Sequence, residues 1–240
     1  NGWMRIALLL LALLWPGLNQ AQEMSPRAYW PAPTGSQVLT VGASYVSGDI
    51  VPDPSLPVAG FDSDITTAFV GYLRTLDLFG RSANLIFELP YSDGETKAVH
   101  EELGFIGRDY RGVGDAAVTL SYNLLGAPAM DMEDFIKLRR DPRPIVGFSL
   151  KVVAPTGDYD DDRIVNVGAN RWAARTEIGS IFVLRPKWLL EVAAGVWFFG
   201  DNDDFLGFKK EQSEIYAVET HLIHRFGPGF WASLDLNAYK

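Results

Sequence analysis

Residues able to do chemistry are few and scattered in this 240-residue chain, which has three histidines and no cysteine. His221 and His224 sit three apart, and on a strand that spacing sends them to opposite faces, so they cannot converge on one metal. His221 shares its face with Glu219, which suggests a hydrogen-bonded pair. Asp158, Asp160, Asp161 and Asp162 form one acidic cluster, and Asp201, Asp203 and Asp204 form another. Oxygen-rich loops can hold calcium, but the first cluster lacks the mid-loop glycine and the distant glutamate of an EF-hand. Solvated loop acids are the expected reading. Gly112-Val113-Gly114-Asp115 precedes a strand, whereas a phosphate-binding glycine loop follows one and opens a helix; a tight bend explains it better. No G-x-S-x-G is present, and His100 lies among Glu101 and Glu102. No catalytic residue, cofactor or firm metal site is expected.

The remaining charges are more informative because of where they fall. From Asp115 to Leu125, Ala116, Val118, Leu120, Tyr122 and Leu124 alternate with Asp115, Ala117, Thr119, Ser121 and Asn123. Period two places the two sets on opposite faces of a strand. The same alternation recurs from Val38, Ile65, Ala83, Val146, Arg175, Trp188, Tyr216 and Phe230, giving about nine strands. On the mixed-polarity faces stand Glu88, Asp115, Thr119, Asn123, Lys151, Arg175, Glu177, Glu191, Glu219, His221 and Asp235. So many charges are costly in a dry sandwich core but suit a wet barrel lumen. In a soluble sandwich the same residues would simply face water, so alternation alone leaves that alternative open.

Between the strands, Ala129 to Arg140 has acids early and bases late, matching a helix dipole. Asp131 is placed to cap it, and Pro142 and Pro144 end it. Ser25 to Gly35 holds three prolines and reads as an extended lead-in, and residues 92–111 read as a long polar loop. The connections run long, short, long, helical, long, short, long, short. Membrane barrels have short periplasmic turns and long outer loops; only the helical connection departs from this.

The address agrees. Met4 and Arg5, then Ile6 to Leu14, then Trp15-Pro16-Gly17, make a secretory signal peptide with cleavage near Ala21. The apolar run is well short of a spanning helix. A formal charge of -9 argues against nucleic acid. Tyr45, Tyr91, Trp188, Phe198 and Phe199 stand near strand ends, where interfacial girdles lie. The expected fold is therefore all-β: an antiparallel up-and-down transmembrane β-barrel with one short periplasmic helix. Residues 1–21 are the signal peptide, 22–36 an extended segment and 37–240 the barrel domain.

RAYWPAP (27–33), DLFGR (77–81), GVGDAAV (112–118), NLLGAPAM (123–130), DPRP (141–144), PTGDYD (155–160), NRW (170–172), DNDDFLG (201–207) and PGFWASLDLN (228–237) resemble a bacterial family labelled MetA-pathway of phenol degradation. The resemblance covers nearly the whole mature chain. It implies an outer-membrane barrel in a Gram-negative bacterium, linked to passage of small hydrophobic or aromatic solutes, with no catalytic residues to carry over. The expected partners are outer-membrane lipid, lipopolysaccharide and such a solute. A weak site at Asp158, Asp160 and Asp162 bridging divalent cations to lipopolysaccharide is the alternative for that cluster. A plugged structural barrel and a barrel lipid hydrolase are the alternative functions. An odd strand count and the lack of a terminal aromatic lead to the expectation of a barrel that is incomplete at its C-terminal side.

Overall fold

The computed structural model describes residues 28–50, 59–100, 104–163, 165–227 and 230–240. The expected signal peptide lies outside the described residues. The strands are β1 (Gln37–Ile50), β2 (Ala59–Leu78), β3 (Arg81–His100), β4 (Gly104–Val113), β5 (Ala117–Leu125), β6 (Ile145–Val153), β7 (Ala173–Arg185) and β8 (Trp188–Phe199). They are followed by β9 (Asn202–Phe205), β10 (Phe208–Lys210), β11 (Ile215–Gly227) and β12 (Phe230–Tyr239), and a helix, α1 (Met132–Arg140), the only one among the described residues, is inserted between β5 and β6. One sheet runs β1-β2-β3-β5-β6-β7-β8-β11-β12, each neighbour antiparallel, and curls into a half-barrel. The small β9–β10 hairpin stands apart from it.

Two expectations are corrected here. The polar stretch after Tyr91 is not a loop: β3 continues to His100 and β4 returns beside it, pairing Tyr91 with Val113 and Asp93 with Arg111. Below that arm β3 pairs with β5 instead, Glu88 opposite Ala117 and Ala83 opposite Tyr122. Charged alternation at an end that leaves the apolar band looks like a loop in sequence, because periodicity is judged by hydrophobics. The second correction is Asp115, which belongs to no strand and sits in the break between β4 and β5.

The sheet is inside-out relative to a soluble protein. Leu39, Val41 and Leu236 are more than 70 % exposed on its outer face, while Glu191 and Glu219 are at most 2 % exposed on its inner face. In water each such Leu or Val forgoes roughly 1.5–3 kcal/mol of burial. Hydrocarbon around the outer face removes that penalty.

The outer apolar band has a measurable edge. On β3 it runs Leu85, Phe87, Leu89, Tyr91 and then changes to Asp93, Glu95 and Lys97. Ion pairs Lys97–Glu95 and Arg111–Asp93, each at 3.2 Å, occupy the region beyond. Tyr45 marks the same level on β1, its hydroxyl donating to Asp64 Oδ1 at 2.6 Å. A tilted spanning strand needs about 9–11 residues, so the 20-residue β2 and β3 stand well beyond the band.

At the opposite end the turns are tight. Phe79 and Gly80, with φ of 53° and 76°, close β2–β3; both positive angles fit the right-handed strand twist. Pro186 and Lys187 close β7–β8. The helix lies at this end too. Asp131 caps it by accepting from the Asp134 amide at 2.9 Å, and Leu138 points into the core.

Candidate functional site: a filled lumen

The inner face changes character along its depth. Near the short-turn end Ile145, Ile181, Leu189 and Ile223 are fully buried, one each from β6, β7, β8 and β11. Against them pack Tyr29 and Trp30 from the N-terminal segment, Ala127 and Met130 from the β5–β6 connection, and Leu138 of α1. The segment 28–36 is thus not the extended lead-in the prolines suggest; it is folded into the half-barrel. Its backbone is stitched in place by Thr34 N–H to the Met130 carbonyl and Gly35 N–H to the Thr75 carbonyl, each 2.8 Å.

Tyr29 carries the segment furthest into the lumen. Its ring lies over Gly147 of β6 and Gly179 of β7, which are direct cross-strand partners. A Cβ on either glycine would run into that ring, so the pair forms a flat slot that only glycine leaves open. The Tyr29 hydroxyl donates to Glu177 Oε1 at 2.6 Å and lies 3.3 Å from the Ser149 hydroxyl. Burial foremost, then the adjacent Glu177 charge, pushes the Tyr29 phenol well above its ordinary value, so it stays a proton donor.

Above this lies a charged layer. Arg175 Nη2 sits 2.6 Å from Glu177 Oε2 and 3.1 Å from Glu219 Oε1, and all three side chains are at most 4 % exposed. The Tyr239 hydroxyl reaches Glu219 at 3.3 Å. His221 shares its face with Glu219 and also reaches across to the neighbouring strand. Its Nδ1 meets Asp235 Oδ1 at 2.8 Å across β11–β12, because a directly opposed residue is nearer than one two positions along the same strand. Burying charges this deeply is tolerable only when they are paired.

Other residues singled out by alternation fall as follows. Glu191 is buried on β8, directly opposite His221. Thr119 and Asn123 are buried on β5. Lys151 and Glu88 are half-buried and joined at 2.9 Å, bridging β6 and β3 across β5. Asp115 does other work. Its two oxygens accept from the Gly157 and Ala169 amides, each at 2.8 Å, clamping the long 154–172 connection over the break between β4 and β5.

The set Asp158, Asp160 and Asp162 is not brought together as one cluster. Asp158 Oδ2 turns away to accept from the Val113 amide at 2.7 Å. Asp160 pairs with Arg163 at 2.7 Å, while oxygens of Asp160, Asp161 and Asp162 lie within 4.8 Å of one another on an exposed turn.

Sequence reasoning missed Tyr29, Gly147, Gly179 and Ser149. The one signal available was the Tyr29-Trp30 pair set among prolines, which is too apolar for a solvated lead-in.

An antiparallel sheet with lipid-compatible residues outside, charged residues inside and a short helix at its tight-turn end is the fold of an outer-membrane β-barrel wall. The chain matches the family described as "Putative MetA-pathway of phenol degradation" over residues 41–239 and belongs to it. Its fold is similar to that of an outer membrane channel from Pseudomonas putida F1, with a TM-score of 0.69 and 21 % identity, covering 90 % of this chain and 76 % of that one. Among proteins of curated function none matches.

Proposed function

We propose that this chain builds the wall of an outer-membrane channel that passes or binds small hydrophobic or aromatic solutes. The observation that carries the reading is the inverted sheet, whose outer face exposes Leu39, Val41 and Leu236 while Arg175, Glu177, Glu191 and Glu219 are buried within. The description of the solved channel supports passage through the lumen, and the family description supports a link to aromatic catabolism. In this orientation the tight turns and α1 face the periplasm, and the β2–β4 arm and the 154–172 connection face outward, as in barrels generally.

The mechanism is passive. Thr119, Asn123, Lys151, Glu88, Arg175, Glu177, Glu191, Glu219, His221 and Asp235 set what the lumen tolerates, and the Tyr29 segment restricts the periplasmic half. Flux of a small phenolic solute and ionic conductance, measured in liposomes and planar bilayers with and without residues 28–36, test this. Conductance that rises when the segment is removed is the expected result. No conductance in either form contradicts the channel reading.

A second reading, a closed barrel whose work is done by its outer loops, is favoured by one specific observation. Arg175 pairs with both Glu177 and Glu219, so charges placed to line a pore close on one another. Absence of flux in both forms is its expected outcome.

A further inference from the structure

A hollow of about 570 Å³ lies between α1, the β7–β8 turn and the end of β11. Arg139 and Arg140 of α1, Lys187 of the turn and Arg225 of β11 give it a cationic wall, and Met132, Ile136 and Phe226 give it an apolar one. The arrangement is held from within. Arg225 donates from Nη1 to the Arg139 carbonyl at 3.1 Å and from Nη2 to the Pro186 carbonyl at 2.6 Å, tying the helix C-terminus to the turn. Lys137, by contrast, spends its charge on Glu133 and Asp134 at 3.0 and 2.9 Å. Arg139, Arg140 and Lys187 have no carboxylate partner among the described residues.

The apolar side of this hollow continues onto the outer face of the sheet. Trp188, His224, Phe226 and Phe230 form a ladder of rings with successive centroids 4.5, 4.4 and 5.1 Å apart. Aromatics in that position mark a membrane–water interface. Met132 and Ile136 remain 59 % and 42 % exposed beside them. A soluble anion would have no use for this apolar continuation, and a neutral lipid no use for the cations. Basic pockets at a membrane face suit anionic lipid headgroups.

We propose that this hollow binds the phosphate headgroup of an anionic phospholipid, with an acyl chain running along Phe226 and Phe230. The inference rests on the membrane placement argued under the proposed function.

Its test uses the full chain in neutral detergent micelles, titrated with brominated phosphatidylglycerol or brominated phosphatidylcholine while tryptophan fluorescence is read near Trp188. The expected result is a preference of tenfold or more for phosphatidylglycerol. In the Arg140→Gln, Lys187→Gln double variant that preference is lost, the two cations together being worth about 25-fold at about fivefold each, and the Arg140→Lys, Lys187→Arg variant keeps it. Millimolar inorganic phosphate should leave the quenching unchanged. Equal quenching by both lipids, an unchanged preference in the Gln variant whose circular dichroism matches the parent, or displacement by inorganic phosphate each overturns the inference. Quenching by neither lipid overturns the membrane placement itself.

Discussion

Gly147 and Gly179 stand directly opposite each other on β6 and β7 and together make the slot in which the Tyr29 ring lies. An aromatic ring seated on paired glycines has consequences that do not depend on knowing the solute. Gly147→Ala or Gly179→Ala places a methyl where the ring lies. Overpacking of this kind costs roughly 1–3 kcal/mol, and the ring rather than the hydrogen-bonded sheet should give way. A thiol probe on Tyr29→Cys, or a fluorophore on Thr34→Cys, should become more water-accessible in the alanine variants. Unchanged accessibility would show that the segment is held by its backbone bonds to Met130 and Thr75 alone.

The hydroxyl of Tyr29 adds a pH dependence of defined sign. Its folded-state value is raised above the ordinary 10.0 by burial and by Glu177. Docking of the segment is therefore fully favoured below about pH 10 and weakens as pH rises further, because the undocked phenol ionises first. Accessibility of the segment should be flat from neutral pH to about pH 9 and rise above about pH 10, where free tyrosine ionises. Tyr29→Phe should abolish the alkaline rise. A rise that persists in the Phe variant would assign it to another group.

Arg175 bridges two buried carboxylates, Glu177 and Glu219. Arg175→Ala removes the cation that bridges both, a change that costs about 3–5 kcal/mol in comparable buried pairs. The urea midpoint of the folded barrel should fall accordingly, and removing both charges with Glu177→Gln and Glu219→Gln should recover much of it. If the single and triple variants are equally stable, the layer is solvated rather than buried.

The clamp at Asp115 predicts a local effect. Asp115→Ala removes the acceptors for the Gly157 and Ala169 amides, each bond worth roughly 1.5–3 kcal/mol to a charged group. Proteolysis within residues 155–171 should accelerate while barrel stability stays near the parent value.

How much of this was legible follows from what period two can encode. Alternation places Val118 and Thr119 on opposite faces without any structure, and it does so for every strand inside the apolar band. It fails above Tyr91, where Asp93, Glu95 and Lys97 continue the strand with no hydrophobic to mark the rhythm. It fails at Asp115, because the three residues between β4 and β5 invert the parity: odd positions are exposed in β4 (Arg111, Val113) and buried in β5 (Ala117, Thr119), so the rhythm of β5 cannot be extended back to Asp115. It is silent about Tyr29, whose partners lie 120 and 148 residues away and include two glycines that carry no side-chain signal. The pairing of His221 with Asp235 needed the β11–β12 register, which no local pattern supplies.

The central claim is that neighbouring residues on one strand face lipid and lumen in turn. The chain has no cysteine, so single cysteines report cleanly. At Leu150 and Lys151 of β6, and at Phe87 and Glu88 of β3, a membrane-impermeant thiol reagent and a bilayer-confined one should be compared in proteoliposomes. Lys151→Cys and Glu88→Cys should react with the impermeant reagent, and Leu150→Cys and Phe87→Cys with the bilayer-confined one. Reaction of all four positions with the impermeant reagent alone would contradict it.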